Sequence, residues 1–246
     1  MDLHDNFGRP ISNLRISVNS GCNLNCMYCH REGETKPETP LSIEDIKAIL
    51  EVAGKLGIRS VKFTGGEPLI RKDIVEIIRA VPPGIESSMT TNGTLLAPLA
   101  HDLRKAGLSR VNISLDSLNP DTYQKITGTG LLSDVLEGIE AARDAGLTPI
   151  KINMVLLKGI NEGEIDDFIR LVSGDRHLIL QIIELMDLGG CSLHADLSEL
   201  EDKIAHQSRK VITRRMHHRK KYCYEGAEIE FVRPRHNSDF CKHCTR

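Results

Sequence analysis

The chain contains no tryptophan, and aromatic residues make up only 4% of it. Proteins that stack nucleic-acid bases need aromatic platforms, so that mode of binding is disfavoured. Charge of one sign is not in excess either. The formal net charge is −2, which gives no global positive field to draw in nucleic acid. No apolar stretch approaches the roughly 20 residues of a membrane span. The opening residues, Met1-Asp-Leu-His-Asp-Asn-Phe-Gly8, have neither the basic nor the apolar segment of an export signal. Internal repeats and low-complexity linkers are also missing. The expectation is a cytoplasmic protein with neither nucleic acid nor membrane as partner. At 246 residues, 40% of them hydrophobic, the chain suits one main domain with a sizeable core and a small appendage.

Cysteine is plentiful by contrast. There are seven, and five lie in two tight clusters. Without an export signal, clustered thiols point to metal ligation in a reducing compartment. Cys22, Cys26 and Cys29 form a C-x3-C-x2-C triplet just after a strand-like segment, Leu14–Val18. Thiolates favour iron–sulfur clusters, zinc or Cu(I). A cubane iron–sulfur cluster usually takes four Cys. Three leave one iron open, as catalytic metals do and structural ones do not. Zinc with His30 as fourth ligand, or buried free thiols, are the alternatives. The second cluster, Cys241 and Cys244, taken alone suits a zinc half-site with His236 or His243, or a redox pair.

Short β-branched runs alternate with amphipathic segments along the chain. Strands are expected at Leu14–Val18, Arg59–Phe63 and near 85–90, 110–115, 150–156 and 178–184. Ser42 followed by Asp45 resembles a capping box and opens a helix that Gly57 ends. Further helices are expected near 71–80, 95–106, 133–145 and 162–173. Six βα units predict an α/β fold, a partial (βα)6 parallel barrel rather than a complete eight-fold one. After Asp187 the rhythm changes. A helix at Asp196–Gln207 and β-like stretches near 209–215 and 228–233, with a turn at Glu225-Gly226, predict a small C-terminal α+β extension. The expected division is 1–188 for the core and 189–246 for the C-terminal region.

Parallel α/β folds bind ligands at the carboxyl ends of their strands. Here those ends carry the Cys loop, Thr64-Gly65-Gly66-Glu67-Pro68, Thr90-Thr91-Asn92-Gly93, Ser114-Leu115-Asp116-Ser117 and Glu184-Leu185-Met186-Asp187. Gly65 and Gly66 would let backbone approach a ligand closely, and Glu67 could receive an ammonium group. Ser114-Leu115-Asp116 offers a ligand contact or a helix cap. Lys151, inside an apolar strand with Asn153 nearby, needs a counter-ion or a bound anion. The basic run Arg214–Lys221 suits a solvated hairpin face better than a guide for an anionic substrate.

With Tyr28 before the last Cys and Gly-Gly-Glu-Pro after the second strand, the triplet resembles the radical S-adenosylmethionine superfamily. The ordered set Leu14–Val18, Phe63–Leu69, Thr90–Gly93, Asn112–Ser117, Lys151–Asn161, Glu184–Asp187 and Phe240–Arg246 resembles the GTP 3′,8-cyclases of molybdenum cofactor biosynthesis. The resemblance implies a [4Fe–4S] cluster on Cys22, Cys26 and Cys29 whose open iron chelates S-adenosylmethionine. One electron then releases a 5′-deoxyadenosyl radical, which takes a hydrogen from the GTP ribose before that carbon bonds to C8. It also implies S-adenosylmethionine contacts at Tyr28, Gly66, Ser114 and Met186. GTP contacts fall on Arg15, Lys62, Thr90, Lys151 and Arg246, with Lys62 standing where family members carry Arg. A second [4Fe–4S] cluster falls on Cys241 and Cys244. Its third Cys ligand is absent, and neither Cys191 nor Cys223 stands in the family position, so an incomplete sequence of a longer protein is expected. GTP and an electron donor are the expected partners. A homodimer is left open by the sequence. The competing functions are a radical S-adenosylmethionine enzyme that modifies peptides and, in another class, an iron–sulfur electron-transfer protein.

Overall fold

The computed structural model describes residues 3–29, 40–186, 192–213 and 219–233. The chain divides into two compact units, Met1–Ile113 with Ser133–Ile150, and Ser114–Leu132 with Lys151–Cys244. The expected strands and helices are present in order, as six successive βα units.

In the first unit β1 (Asn13–Ser17), β2 (Ser60–Thr64), β3 (Glu86–Thr91) and β4 (Leu108–Ser114) pair in parallel in that order. The helices are α1 (Ile43–Lys55), α2 (Ile74–Arg79), α3 (Ala100–Ala106) and α5 (Leu132–Asp144). Ser42 caps α1 through a full capping box: its hydroxyl accepts from the Asp45 amide at 3.0 Å, and Asp45 accepts from the Ser42 amide at 3.0 Å. The sheet has two chemically different faces. Ile16, Phe63, Met89 and Val111 are partnered across four strands and all are buried. One residue back, on the opposite face, Arg15, Lys62, Ser88 and Arg110 form a second partnered row. Side chains alternate along a strand, so one apolar row fixes a polar row beside it.

The second unit contains α4 (Pro120–Thr127), most of β5 (Ile150–Leu156), α6 (Ile165–Val172), β6 (Leu178–Glu184), α7 (Ser198–Gln207), β7 (Lys210–Thr213), β8 (Lys220–Tyr224) and β9 (Ala227–Val232). β9 pairs in parallel with β6, then β8 and β7 follow antiparallel. Two elements here differ from expectation. Helix α4 is an addition to the expected set, in which the first helix after β4 is near 133–145. The cap is Asn119, whose Oδ1 accepts from the amides of Asp121 and Thr122, both at 3.0 Å. Asp116 instead accepts from the Val155 amide at 2.8 Å. Strand β8 was hidden by its lysines. Behind them Tyr222 and Tyr224 point inward with Cys223 between the two, which is the period of a half-buried strand.

Candidate active site

In the first unit the Cys loop leaves β1 and folds against the loop that leaves β2. Gly66 donates to Asn19 O at 3.1 Å and the Glu67 amide donates to Gly21 O at 2.8 Å. Asn19 Nδ2 returns a bond to Glu67 O at 2.8 Å. The approach is too close for side chains. A Cβ on Gly65 would lie 2.0 Å from Asn19 Oδ1, and one on Gly66 would lie 2.2 Å from Gly21 O. The two glycines therefore admit the Cys loop backbone itself.

Glu67 ties the loops together. Its side chain is fully buried. Oε1 accepts from the Leu69 amide at 2.9 Å and Thr91 Oγ1 at 2.7 Å, and Oε2 accepts from the Asn92 amide at 2.7 Å. Burial pushes its carboxyl above the usual carboxylate value, and the three donors pull the other way.

Cys22, Cys26 and Cys29 form no disulfide; Cys22 and Cys29 are exposed and Cys26 is half-buried. A turn closed by the Cys29 amide on Cys26 O at 3.0 Å brings the last two together. Cys22 Sγ accepts from the Leu24 amide at 3.4 Å and from Asn92 Nδ2 at 3.8 Å. Asn92 is braced by Asn23 Oδ1 at 2.8 Å. Burial pushes the Cys22 thiol up, opposed by the Leu24 amide. N–H groups aimed at sulfur suit a thiolate ligand, and a bound metal deprotonates the thiol outright. Among the described residues no three His, Cys, Asp or Glu side chains gather round a single ion. A cubane does not ask for that, because each thiolate sits on its own iron. The donor set thus fits a cluster.

The other expected contacts in this unit lie on the polar sheet face and the loops. Arg15 is partnered with Lys62, and Thr90 with Asn112 two residues further along β3. Tyr28 is half-buried in the Cys loop and Gly66 is exposed. Arg110 of the same row is ion-paired with Glu86.

In the second unit Ser114 and Met186 are half-buried. The β4 end is tied to β5 by the Leu115 amide on Asn153 O at 2.9 Å. Asn161, fully buried, braces the same turn: Nδ2 donates to Asp116 O at 2.7 Å and Val155 O at 2.9 Å. Lys151 is buried as expected, and its counter-ion is a residue the sequence reading missed. Lys151 Nζ lies 2.5 Å from Glu230 Oε2. The same oxygen accepts from Gln181 Nε2 at 2.8 Å and lies 3.6 Å from Arg219. Glu230 is flanked by Ile229 and Phe231 inside a strand, the signal that singled out Lys151. Glu184 is also buried, within 3.4 Å of His194 Nε2 and 4.0 Å of Arg233 Nε. Arg246, Cys241, Cys244 and Asp187 lie outside the described residues.

Comparison with known proteins gives the class first. The Radical SAM superfamily pattern matches residues 16–172, which span the Cys loop and five of the six βα units. Solved structures share the fold: Streptococcus suis SuiB bound to S-adenosylmethionine (TM-score 0.62, 20% identity, 79% of this chain and 46% of SuiB), and anSMEcpe with bound AdoMet (TM-score 0.59, 21% identity, 80% of this chain and 61% of that one). Their likeness shows the fold alone, the α/β partial parallel barrel expected from the strand count, and the chain spans less than two thirds of either protein. The relatives are more specific. Those named probable GTP 3′,8-cyclase include proteins of Methanocella arvoryzae, 50% identical over 99% of this chain and 80% of that protein, and Archaeoglobus fulgidus, 46% identical over 99% and 84%. The chain belongs to the radical S-adenosylmethionine superfamily and, within it, to the GTP 3′,8-cyclase family.

Proposed function

We propose that the protein catalyses the S-adenosylmethionine-dependent cyclisation of GTP to (8S)-3′,8-cyclo-7,8-dihydroguanosine 5′-triphosphate, the first step of molybdopterin biosynthesis. The observation that carries the reading is whole-chain identity of about half to cyclase relatives, in a chain whose three-cysteine loop closes onto Gly66 and Glu67. Cys22, Cys26 and Cys29 would hold the [4Fe–4S] cluster. When bound, it supplies the electron that cleaves S-adenosylmethionine. Tyr28, Gly66, Ser114 and Met186 would contact that cofactor.

Arg15, Lys62, Thr90, Lys151 and Arg246 would bind GTP. Arg15 and Lys62 share one sheet face, and cations serve a triphosphate by fork and by point charge. Cys241 and Cys244 would belong to a second cluster in a C-terminal region, 189–246, distinct from a core of 1–188. An external electron donor and a cytoplasmic setting complete the proposal. Among the described residues no helix is long and apolar enough to cross a membrane.

The test is anaerobic reconstitution with GTP deuterated at C3′. Deuterium is expected in the 5′-deoxyadenosine produced, and Cys26→Ala should yield none of that product. Unlabelled 5′-deoxyadenosine would overturn the GTP assignment. An electron carrier would cleave no S-adenosylmethionine at all.

A further inference from the structure

We propose that Glu230 is a resident counter-ion for Lys151 and Arg219, and that a phosphate of the substrate takes its place on Lys151 when nucleotide binds. The inference rests on the reading of Lys151 as a triphosphate contact.

Three donors meet one oxygen here. Glu230 Oε2 is 2.5 Å from Lys151 Nζ, 2.8 Å from Gln181 Nε2 and 3.6 Å from Arg219 Nη1. The carboxylate is fully buried, and the Lys151 and Arg219 side chains are 10% and 16% exposed. Buried cations need an anion close by. In the free protein Glu230 is that anion. Lys221, its register partner on β8, is engaged elsewhere, on Glu228 at 2.7 Å.

The Lys151 and Gln181 ties on the carboxylate differ in kind. Gln181, register partner of Glu230 on β6, is a neutral donor that holds the carboxylate by geometry. Lys151 carries a point charge on a flexible stem, so it can turn to a phosphate oxygen while Gln181 keeps Glu230 in place. The carboxylate therefore weakens capture of any anion. A small anion gains only Lys151, whereas a nucleotide triphosphate brings further contacts that offset the exchange. Glu230 acts as a specificity-determining residue.

The test titrates inorganic triphosphate into the full chain by isothermal calorimetry. Glu230→Gln should bind it at least about tenfold more tightly, roughly 1.4 kcal/mol, with a cooperative melt retained. A merely structural role predicts unchanged or weaker binding, and that result in a folded variant overturns the proposal. Lys151→Met should weaken binding in both backgrounds and remove the difference between them. If Lys151→Met binds normally, the reading of Lys151 as a triphosphate contact fails instead. Should Glu230→Gln not fold, a crystal structure of the unmodified protein with inorganic triphosphate decides. Lys151 Nζ on a phosphate oxygen and parted from Glu230 supports the exchange; Lys151 still seated on Glu230 refutes it.

Discussion

Thr91 Oγ1 donates a 2.7 Å hydrogen bond to Glu67 Oε1 across 24 residues of chain. With the Asn92 amide on Oε2, it makes one buried carboxylate the joint between the β2 and β3 loops. The Cys loop hangs on the same joint, since Asn92 reaches Cys22 Sγ and Asn19 reaches Glu67 O.

Glu67→Ala should therefore cost stability well beyond a surface change. It leaves three donors without their acceptor in a buried place, and each such group costs on the order of 1–3 kcal/mol. A loss of about 3 kcal/mol in urea unfolding is expected. A loss below about 1 kcal/mol would mean the carboxylate is not the joint.

Gly66→Ala should damage the Cys loop while sparing the sheet. The new Cβ would sit 2.2 Å from Gly21 O and 2.5 Å from Ser20 O, so backbone must move. Iron bound per chain after anaerobic reconstitution should fall severalfold, with helical circular dichroism unchanged. Gly163→Ala, where a Cβ meets nothing within 4 Å, is the control and should load fully.

Arg71 supplies a pH-dependent and a pH-independent tie. It bonds Asp73 Oδ1 at 2.7 Å and Val18 O at 2.8 Å. The bond from Arg71 holds the Asp73 carboxyl below its ordinary value. A depressed carboxylate stabilises the fold above its unfolded pKa and loses that contribution as pH falls through the folded value. The stability gap between the parent and Arg71→Leu should thus narrow below about pH 4 and level off at the share due to Val18. Melting temperatures from pH 7 to pH 3 would show this. A gap independent of pH would remove Asp73 from the account.

Lys151→Met should destabilise strongly, because it leaves the Glu230 carboxylate buried without its nearest cation. Breaking a buried pair from one side costs roughly 3–5 kcal/mol. Adding Glu230→Gln should recover part of that loss. Chemical denaturation of the single and double variants measures the coupling, and strict additivity would deny the pair.

The fold was legible wherever neighbours in sequence decide structure. The capping box at Ser42 and Asp45, the β-branched runs and the glycine after α1 gave elements close to their observed bounds. Helix α4 was missed although Asn119, Pro120 and Gly128 mark both its ends, because its eight residues carry too short an apolar stripe, Tyr123 and Ile126, to show a helical period. The site was legible as a set of strand ends, and Lys151 was recognised as a charge in need of a partner. Which groups take the polar atoms was not legible. Glu67 spends both oxygens on protein donors, and the Gly65-Gly66 pair makes room for the Cys loop.

By itself the sequence determined the cysteine spacing, the alternation of βα units and the family, since these depend on residues a few positions apart and on their order. The tertiary structure alone decided that Lys151 meets Glu230, 79 residues away, and that Arg15 lies beside Lys62. Strand order and register choose such partners, and no local pattern encodes them: a slip of one residue would turn every side chain of the strand to the opposite face.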